Sequence, residues 1–393
     1  MNLSGTLENN HAPGPLAAPG TVPQRAAYIE TAAISANVRA LRKVADGARL
    51  LAVLKADGYG HGIVPAARAA LAGGADYLGT AVLEEAFALR AAGISAPLFS
   101  WLAAPGAPYA RAIAEDIELA AYSVAQLREI AAAAQDAGAA ARIHLKIDTG
   151  MWRGGATIGD WPALCTAARE LEAAGRIRVA GIWSHLACAD EPGHPSVAAQ
   201  LRVFRQAIDA ARSLGLDPGL CHIANSAATL ATPEAHFDMV RTGIAVYGVN
   251  PLPVSERGTC PALRPAMTLG AAVVQTKRAP ADAGISYGHT ESTQRETTLA
   301  VVPLGYADGV FRSASSAGPV QVGAGRYRVL GRVCMDQFVI DVADDDVAPG
   351  DAALLFGPGD AGEPHVEQWA QASGTIPYEV LTRVGTRVPR IYV

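Results

Sequence analysis

The sequence predicts an α/β protein in which an eight-stranded parallel (β/α) barrel is followed by a mainly antiparallel β domain. Over residues 36–262, short apolar runs alternate with longer stretches of helical spacing. Over residues 263–393, β-type runs are divided by Gly, Pro and Asp, with no long helix between them. Parallel strands buried on both faces read as continuous apolar runs, and eight of them close a barrel.

The barrel strands are predicted from eight runs in chain order. They span residues 50–56, 75–81, 96–102, 117–123, 141–149, 179–188, 221–225 and 238–246. Every run except the last is followed by a helical stretch, such as "VAQLREIAAAAQDAG", in which the final glycine marks the helix end. In the β domain, the last helix candidate is the short segment "HVEQWAQASG".

Composition limits the classes of partner and compartment. Half of the 393 residues are hydrophobic, and the net charge of −5 lacks the basic excess that nucleic-acid binding needs. The five cysteines contain no C-x-x-C pair, which argues against a disulfide framework or a zinc site and favours a reducing cytoplasm. No apolar run has the roughly 20 residues of a membrane span. Residues 1–24, rich in Pro, Gly and Ala, are predicted to be a mobile tail rather than a signal peptide.

Polar residues gather at the C-terminal ends of the predicted strands, where (β/α) barrels carry their active sites. Lys55 ends the first strand, and a lysine at the edge of an apolar core has a lowered pKa that suits imine chemistry. Taken alone, Lys55 is better explained as the end of a strand with its ammonium in water. The other polar residues at this end are Lys146, Arg153, His185, Asn225, Ser226 and Arg241. Their convergence on one end favours an active site.

The segments after the last two strands predict an anion site. "ANSAAT" opens a helix at Ser226, whose first turn offers N–H donors and a positive dipole end. Gly243 would let the backbone approach an anion closely. Such groups suit the phosphate of pyridoxal phosphate, although Ser226 could instead be an ordinary helix cap.

Nine motifs, from about residue 26 to the chain end, resemble those of the alanine racemase family. In order they are "LKADGYGHG", "KIDTGMWR", "SHLACAD", "HIANSAAT", "VRTGIAVYG", "ISYGHT", "LGYADG", "GRVCMDQ" and "RVPRIY". The resemblance implies a strand over residues 26–34 that joins the β domain, and a homodimer with active sites shared between chains. It also implies pyridoxal 5′-phosphate as cofactor and the interconversion of L-alanine and D-alanine, a cell-wall precursor.

Carried over by motif, Lys55 would hold the cofactor as an internal aldimine and act as the base on the D side. Tyr287 of the partner subunit would be the base on the L side, because racemisation needs a base on each face of a planar carbanion. A phenol acts as a base near neutrality only beside positive charge, which the resemblance assigns to His185 and Arg241.

Arg241 would face the pyridine nitrogen, where many other pyridoxal enzymes place a carboxylate. A guanidinium cannot accept a proton, so the pyridine would stay neutral; without the motif, Arg241 could be a salt bridge at the barrel rim. Arg153 and the backbone N–H of Met335 of the partner subunit would bind the substrate carboxylate. Lys146 would be carbamylated and orient Arg153, or would pair with a carboxylate.

The same resemblance implies further contacts to the cofactor from Tyr59, His185, Asn225, Ser226, Gly243 and Ile244. Two positions depart from the family pattern. Thr386 stands where many relatives have a phosphate-binding tyrosine, and its hydroxyl reaches less far. Trp152 stands where a small residue is common, and would either reshape the entrance or fill a surface gap.

Three other functions are open on the sequence. A non-catalytic pyridoxal phosphate carrier would resemble the barrel alone, and the added domain with "ISYGHT" and "CMDQ" argues against it. A decarboxylase of the same fold would use an acidic residue at the pyridine nitrogen, which Arg241 disfavours. A metal hydrolase would use His185, Asp190 and His194, but their loop is rich in turns. Serine or other small amino acids could be accepted besides alanine.

Overall fold

The computed structural model describes residues 23–393, which divide into two units. The barrel unit is Glu30–Ala266. The β unit consists of two parts of the chain, the segment that ends at Ile29 and Met267–Val393. The segment ending at Ile29 contains the first strand, β1 (Arg25–Ile29). The tail predicted over residues 1–24 lies outside the described residues, except for its last two positions.

The barrel unit contains the eight predicted strands, all parallel. They are β2 (Arg49–Val53), β3 (Tyr77–Thr80), β4 (Leu98–Ser100), β5 (Ile117–Ala121), β6 (Ala141–Lys146), β7 (Ile177–Trp183), β8 (Leu220–His222) and β9 (Met239–Thr242). Each of β2 to β8 pairs with its neighbour in the chain, and β9 pairs with β2. Backbone hydrogen bonds from Asp238 to Cys221 and from Arg241 to Ala224, both 3.0 Å, bring β9 beside β8. The predicted barrel is confirmed.

Helices connect the barrel strands. They are α1 (Thr31–Val44), α2 (Lys55–Tyr59), α3 (Ile63–Ala72), α4 (Leu83–Ala91), α5 (Tyr109–Ala114), α6 (Val124–Ala137), α7 (Trp161–Ala173), α8 (Pro195–Ser213) and α9 (Ser226–Ala231). The strand predicted over residues 26–34 ends at Ile29, so its last part was wrong. Residues 31–34 are helical because Ile34, Val38 and Leu41 form a buried stripe at helical spacing.

The β unit is built on a mainly antiparallel sheet, as predicted. Its strands are β10 (Met267–Ala272), β11 (Gln275–Ala279), β12 (Gly284–Ile285), β13 (Glu291–Ser292), β14 (Thr297–Val302), β15 (Pro319–Val322), β16 (Gly325–Leu330), β17 (Phe338–Ala343), β18 (Ala352–Phe356) and β19 (Arg390–Tyr392). The large sheet has the order β11-β14-β17-β16-β15-β18-β10-β1-β19, and only β1 and β19 pair in parallel. β1 lies between β10 and β19, so the first strand joins this sheet as the sequence implied.

The β unit also contains α10 (Val366–Ser373) and α11 (Pro377–Arg383). The sequence predicted α10 and missed α11, because a seven-residue helix is too short to display a period. Pro377 at its first turn is the local signal. Short 3₁₀ helices lie at Pro233–Ala235, Ile244–Tyr247, Val254–Glu256, Tyr287–His289 and Arg312–Ala314. Among residues 23–393, no helix combines the length and apolar character needed to cross a membrane.

Candidate active site

Lys55 lies two residues beyond the end of β2 and precedes an unusual left-handed turn. Residues 56–60 all have positive φ, and the ψ angles of Ala56, Asp57 and Gly58 are 51°, 49° and 43°. L-residues in this region cost about 1–2 kcal/mol each, so neighbouring groups must hold the turn. The carboxylate of Glu85 accepts from the Ala56 N–H at 2.6 Å, and that of Asp57 accepts from the first N–H of α3 at 2.8 Å.

The Lys55 amine lies among other cations. Burial, and then the positive charge of Arg153, lowers its pKa below the ordinary lysine value. Arg241 adds to this shift, and Glu85 opposes it. Lys55, Arg153 and Arg241 are therefore close enough to interact electrostatically. The sequence predicted this from their positions at the C-terminal ends of the barrel strands. A neutral amine is easier to form here than in water.

Lys146, at the end of β6, is buried against aromatic rings. Its Nζ lies 4.4 Å from the ring centroid of Trp183 and 5.2 Å from that of Tyr122. Burial and the positive charges of Arg241 and Arg153 lower the pKa of Lys146 to about 8. Within residues 23–393, no carboxylate forms an ion pair with it, so the predicted alternative of a plain ion pair is not found.

Arg241, on β9, is buried and donates in several directions. Its Nη1 donates to His222 Nδ1 at 3.0 Å, and its Nη2 to the Ser184 carbonyl at 2.8 Å and to His185 Nδ1 at 3.1 Å. Burial, and then the charge of Arg153, lowers its pKa to about 9, so the guanidinium stays protonated at neutral pH. Its Nε–H has no hydrogen-bond partner in the described part of the chain. The rim salt bridge considered above is absent from residues 23–393, since Arg241 binds imidazoles and carbonyls.

His185 corrects one expectation. Burial, and then the charge of Arg241, lowers the pKa of His185 well below its ordinary value. The imidazole is neutral near pH 7 and accepts from Arg241 through Nδ1. His185 therefore supplies no positive charge, contrary to the role assigned with Arg241.

Residues from three segments meet at the predicted anion site. Ser226 Oγ accepts from the Gly243 N–H at 2.8 Å, and a Cβ placed on Gly243 would lie 2.3 Å from Tyr59 Oη. The N–H of Ile244 begins a 3₁₀ helix and has no partner in residues 23–393. Asn225, rather than Ser226, caps α9, because its Oδ1 accepts from the N–H three residues later at 3.0 Å. The helix-cap alternative for Ser226 was therefore wrong.

Two aromatic residues that the sequence reasoning missed support this site. The Trp183 ring lies 5.1 Å from the Arg241 guanidinium and also faces Lys146. Tyr247 Oη donates to the Val53 carbonyl at 3.1 Å, and its ring packs on Tyr59 with centroids 4.9 Å apart. The only signal in the sequence was an aromatic residue at or just beyond a strand end.

In the β unit, Tyr287 and Met335 are exposed, at 72% and 53% of their surfaces. The segments that carry them lie side by side, since a Cβ on Gly331 would be 2.9 Å from the Ile285 carbonyl. The Met335 N–H has no partner within residues 23–393. Gly305 permits close backbone contact, because a Cβ there would lie 2.2 Å from the Met335 carbonyl oxygen.

The remaining sequence-predicted positions lie at the surface. Trp152 is 82% exposed with φ of 55°, so its indole does not fill a gap within its own unit. Thr386 is exposed. His194, considered as a metal ligand, instead accepts from the Ser196 N–H at the start of α8. Over residues 23–393, no cluster of three or more His, Cys, Asp or Glu is arranged to hold a metal ion.

Comparisons with known proteins agree with this geometry. The family model of the alanine racemase N-terminal domain matches residues 29–251, and that of the alanine racemase C-terminal domain matches residues 266–392. An alanine racemase of Frankia casuarinae is 58% identical over 367 residues, which cover 93% of this chain and 96% of that protein.

Solved structures give the same result. The alanine racemase of Streptomyces lavendulae superposes with a TM-score of 0.92 at 50% identity, covering 95% of this chain and 98% of that one. The alanine racemase of Streptomyces coelicolor superposes with a TM-score of 0.91 at 52% identity, covering 94% of this chain and 98% of that one. The chain therefore belongs to the alanine racemase family of amino-acid racemases.

Proposed function

We propose that the protein interconverts L-alanine and D-alanine by a two-base mechanism that uses pyridoxal 5′-phosphate. The observation that carries the proposal is the gathering of Lys55, Arg153, Lys146 and Arg241 at the C-terminal ends of the barrel strands. This positive site suits an anionic cofactor and a substrate carboxylate. Both nearby acids, Glu85 and Asp148, are occupied by backbone N–H groups.

The residues present fit pyridoxal phosphate at both of its ends. Tyr59, Ser226 and Gly243 lie close together beside the N–H of Ile244, and this grouping of hydroxyl and N–H groups suits a phosphate. The unpartnered Nε–H of Arg241 suits a neutral pyridine nitrogen, which accepts a hydrogen bond. Bound pyridoxal phosphate supplies a carbonyl that condenses with amines and a ring that withdraws electrons from the substrate Cα.

Lys55 Nζ would hold the cofactor covalently and then act as the base that moves the Cα proton on the D side. Its lowered pKa favours the neutral amine that both tasks require. Tyr287 of the partner subunit would move the proton on the L side. The exposure of Tyr287 supports a role in a second chain's site, and so does that of Met335. Because His185 is neutral, the positive charge beside that phenol would come from Arg241.

Arg153 and the Met335 N–H of the partner subunit would bind the substrate carboxylate and orient the Cα–H bond. Neither group has a hydrogen-bond partner within residues 23–393. A homodimer is part of this proposal, because each active site would take residues from both subunits. The five cysteines are all unpaired, which supports the proposed cytoplasmic location.

The direct test is racemisation by the purified protein supplied with pyridoxal phosphate and L-alanine. We expect the two enantiomers to reach equal amounts, as measured by chiral chromatography, from either starting enantiomer. Release of carbon dioxide without D-alanine would indicate the decarboxylase. Cofactor binding without turnover would indicate the carrier.

Replacing Arg241 with Glu should change the reaction that the site performs. A carboxylate favours protonation of the pyridine nitrogen, and a protonated ring withdraws electrons more strongly, so proton return becomes less selective. We expect racemisation to fall by about 10²-fold or more, as when a preorganised electrostatic donor is removed, and pyruvate from transamination to rise. Arg241→Lys keeps the positive charge and should show no gain in pyruvate. Wild-type racemisation and no added pyruvate in a cofactor-loaded Arg241→Glu protein would refute this placement.

Lys146 is proposed to be carbamylated, because an anion there would neutralise the charges of Arg153 and Arg241. Only a neutral amine adds carbon dioxide. Since the pKa of Lys146 is about 8, the amine is mostly protonated near pH 6 and mostly neutral near pH 9. The carbamate fraction should rise with pH, as measured by ¹³C NMR in ¹³C-bicarbonate. Lys146→Ala should lack the signal, and a signal that persists in this variant would assign the carbamate elsewhere.

A further inference from the structure

Four polar side chains form a continuous hydrogen-bonded row through the interior of the barrel. Glu118 Oε2 lies 2.7 Å from His144 Nε2, His144 Nδ1 lies 2.9 Å from His222 Nε2, and His222 Nδ1 lies 3.0 Å from Arg241 Nη1. These residues come from β5, β6, β8 and β9, and all four are buried. Barrel interiors are usually filled with branched apolar side chains, and buried polar groups are costly unless they are hydrogen-bonded.

The direction of every hydrogen bond in this row follows from its ends. Arg241 can only donate, so His222 Nδ1 accepts and His222 carries its proton on Nε2. That proton is donated to His144 Nδ1, and His144 therefore carries its own proton on Nε2. Glu118 accepts the last bond. Burial, and then Arg241, lowers the pKa of His222 well below its ordinary value, which agrees with a neutral ring.

Glu118 is held as an anion at its end of the row. Burial alone would raise its pKa, but the hydrogen bond from His144 and the positive charge of Arg142 give a net lowering. Arg142 Nη2 lies 3.0 Å from Glu118 Oε1, and Arg142 Nη1 lies 3.2 Å from the exposed carboxylate of Asp116. An ionised acceptor on β5 thus faces a permanent donor on β9 through two neutral imidazoles.

Aromatic neighbours restrict ring rotation. The Trp183 ring stacks on His222 with an interplanar angle of 9°, and Phe99 contacts His144 with centroids 4.4 Å apart. Closely packed rings do not flip readily, so the positions of the protons decide which bonds can form.

We propose that Glu118 is a positioning residue for Arg241. By keeping His144 and His222 each in the tautomer with the proton on Nε2, it gives Arg241 Nη1 an acceptor and fixes the guanidinium. In the opposite tautomer, the His222 Nδ1–H would face the Arg241 donor and push it away. The consequence for the cofactor rests on the proposed function, in which Arg241 faces the ring nitrogen.

The test is ¹⁵N NMR of the full-length chain with ¹⁵N-labelled histidine, which reports the protonated nitrogen of each ring. We expect His144 and His222 to carry protons on Nε2 in the wild type. In Glu118→Gln, the amide oxygen should turn to Arg142 and the amide N–H should donate to His144 Nε2. Both histidines should then change to the Nδ1–H form. Glu118→Asp keeps an anionic acceptor and should retain the original tautomers.

Glu363→Gln provides a matched control, since Glu363 is also buried but accepts only from backbone N–H groups in the β unit. It should leave both histidine spectra unchanged. For alanine, Glu118→Gln should lower kcat by about 10–100-fold with a much smaller change in KM, the range found when groups that orient a histidine ligand are removed.

Two results would overturn the proposal. One is a wild-type His222 that is protonated on Nδ1 or on both nitrogens. This measurement uses the wild-type protein, so it does not depend on the folding of any variant. The other is a folded Glu118→Gln protein with wild-type tautomers. Neither measurement depends on racemisation, so a failure of the proposed function would appear separately in the alanine assay.

Discussion

Lys55→Ala is expected to abolish covalent attachment of pyridoxal phosphate and to lower racemisation by about 10³-fold or more, because in the proposed mechanism one amine is both anchor and base. The link is measured by borohydride reduction followed by peptide mass analysis. The chain has four lysines, and Lys43 is exposed on α1, which makes Lys43→Ala the matched control. It should keep both attachment and activity.

Retention of a borohydride-fixed cofactor in Lys55→Ala would assign the link to another amine. Lys146 is the natural alternative, because its pKa is also lowered by burial. The peptide that carries the label distinguishes the two residues directly.

Tyr287→Phe is expected to lose racemisation to a similar extent, and to regain it in a hybrid with Lys55→Ala. Phenylalanine keeps the ring but has no proton to exchange. In a hybrid dimer with shared sites, one site has both wild-type residues and the other has both lesions. Purified hybrids should therefore have about half of the wild-type activity per dimer.

The control is a mixture of Lys55→Ala and Tyr287→Phe homodimers under conditions that prevent exchange, which should stay inactive. Verified hybrids without recovered activity would show that Tyr287 does not act in the partner's site.

The barrel could be predicted because its strands are buried on both faces and its helices lie outside, so each element leaves a distinct apolar pattern. The cluster around Lys55 could be predicted from strand counting, since side chains at the ends of parallel strands share one edge. The charge state of His185 could not, because it depends on burial and on the neighbouring Arg241. The protonation state of a buried histidine depends on the groups packed around it in the folded protein, which the local sequence does not specify.

The row from Glu118 to His222 shows a second limit. A glutamate within the apolar run "IELAAYS" and a histidine within "ARIHLK" were signals that could have been noticed. The partner of His144 towards Arg241, however, is His222, which lies 78 residues further along the chain, and nothing local specifies this pairing. The left-handed turn at residues 56–60 was also hidden, because Ala56 and Tyr59 do not favour that conformation.

That turn affects how Lys55 could change from holding the cofactor to moving the Cα proton. In the proposed mechanism, the lysine would release the cofactor and then reach the Cα proton, which would require Nζ to move. The turn that follows it donates the Ala56 N–H to Glu85 and is tied to α3 by Asp57, which accepts from the Ile63 N–H, and these hydrogen bonds restrict backbone motion there. The movement would then be left to the four-carbon side chain of the half-buried Lys55; exposed side chains change rotamer within picoseconds to nanoseconds, whereas loops move in nanoseconds to microseconds. The movement of this amine should therefore be faster than a rearrangement of the loop.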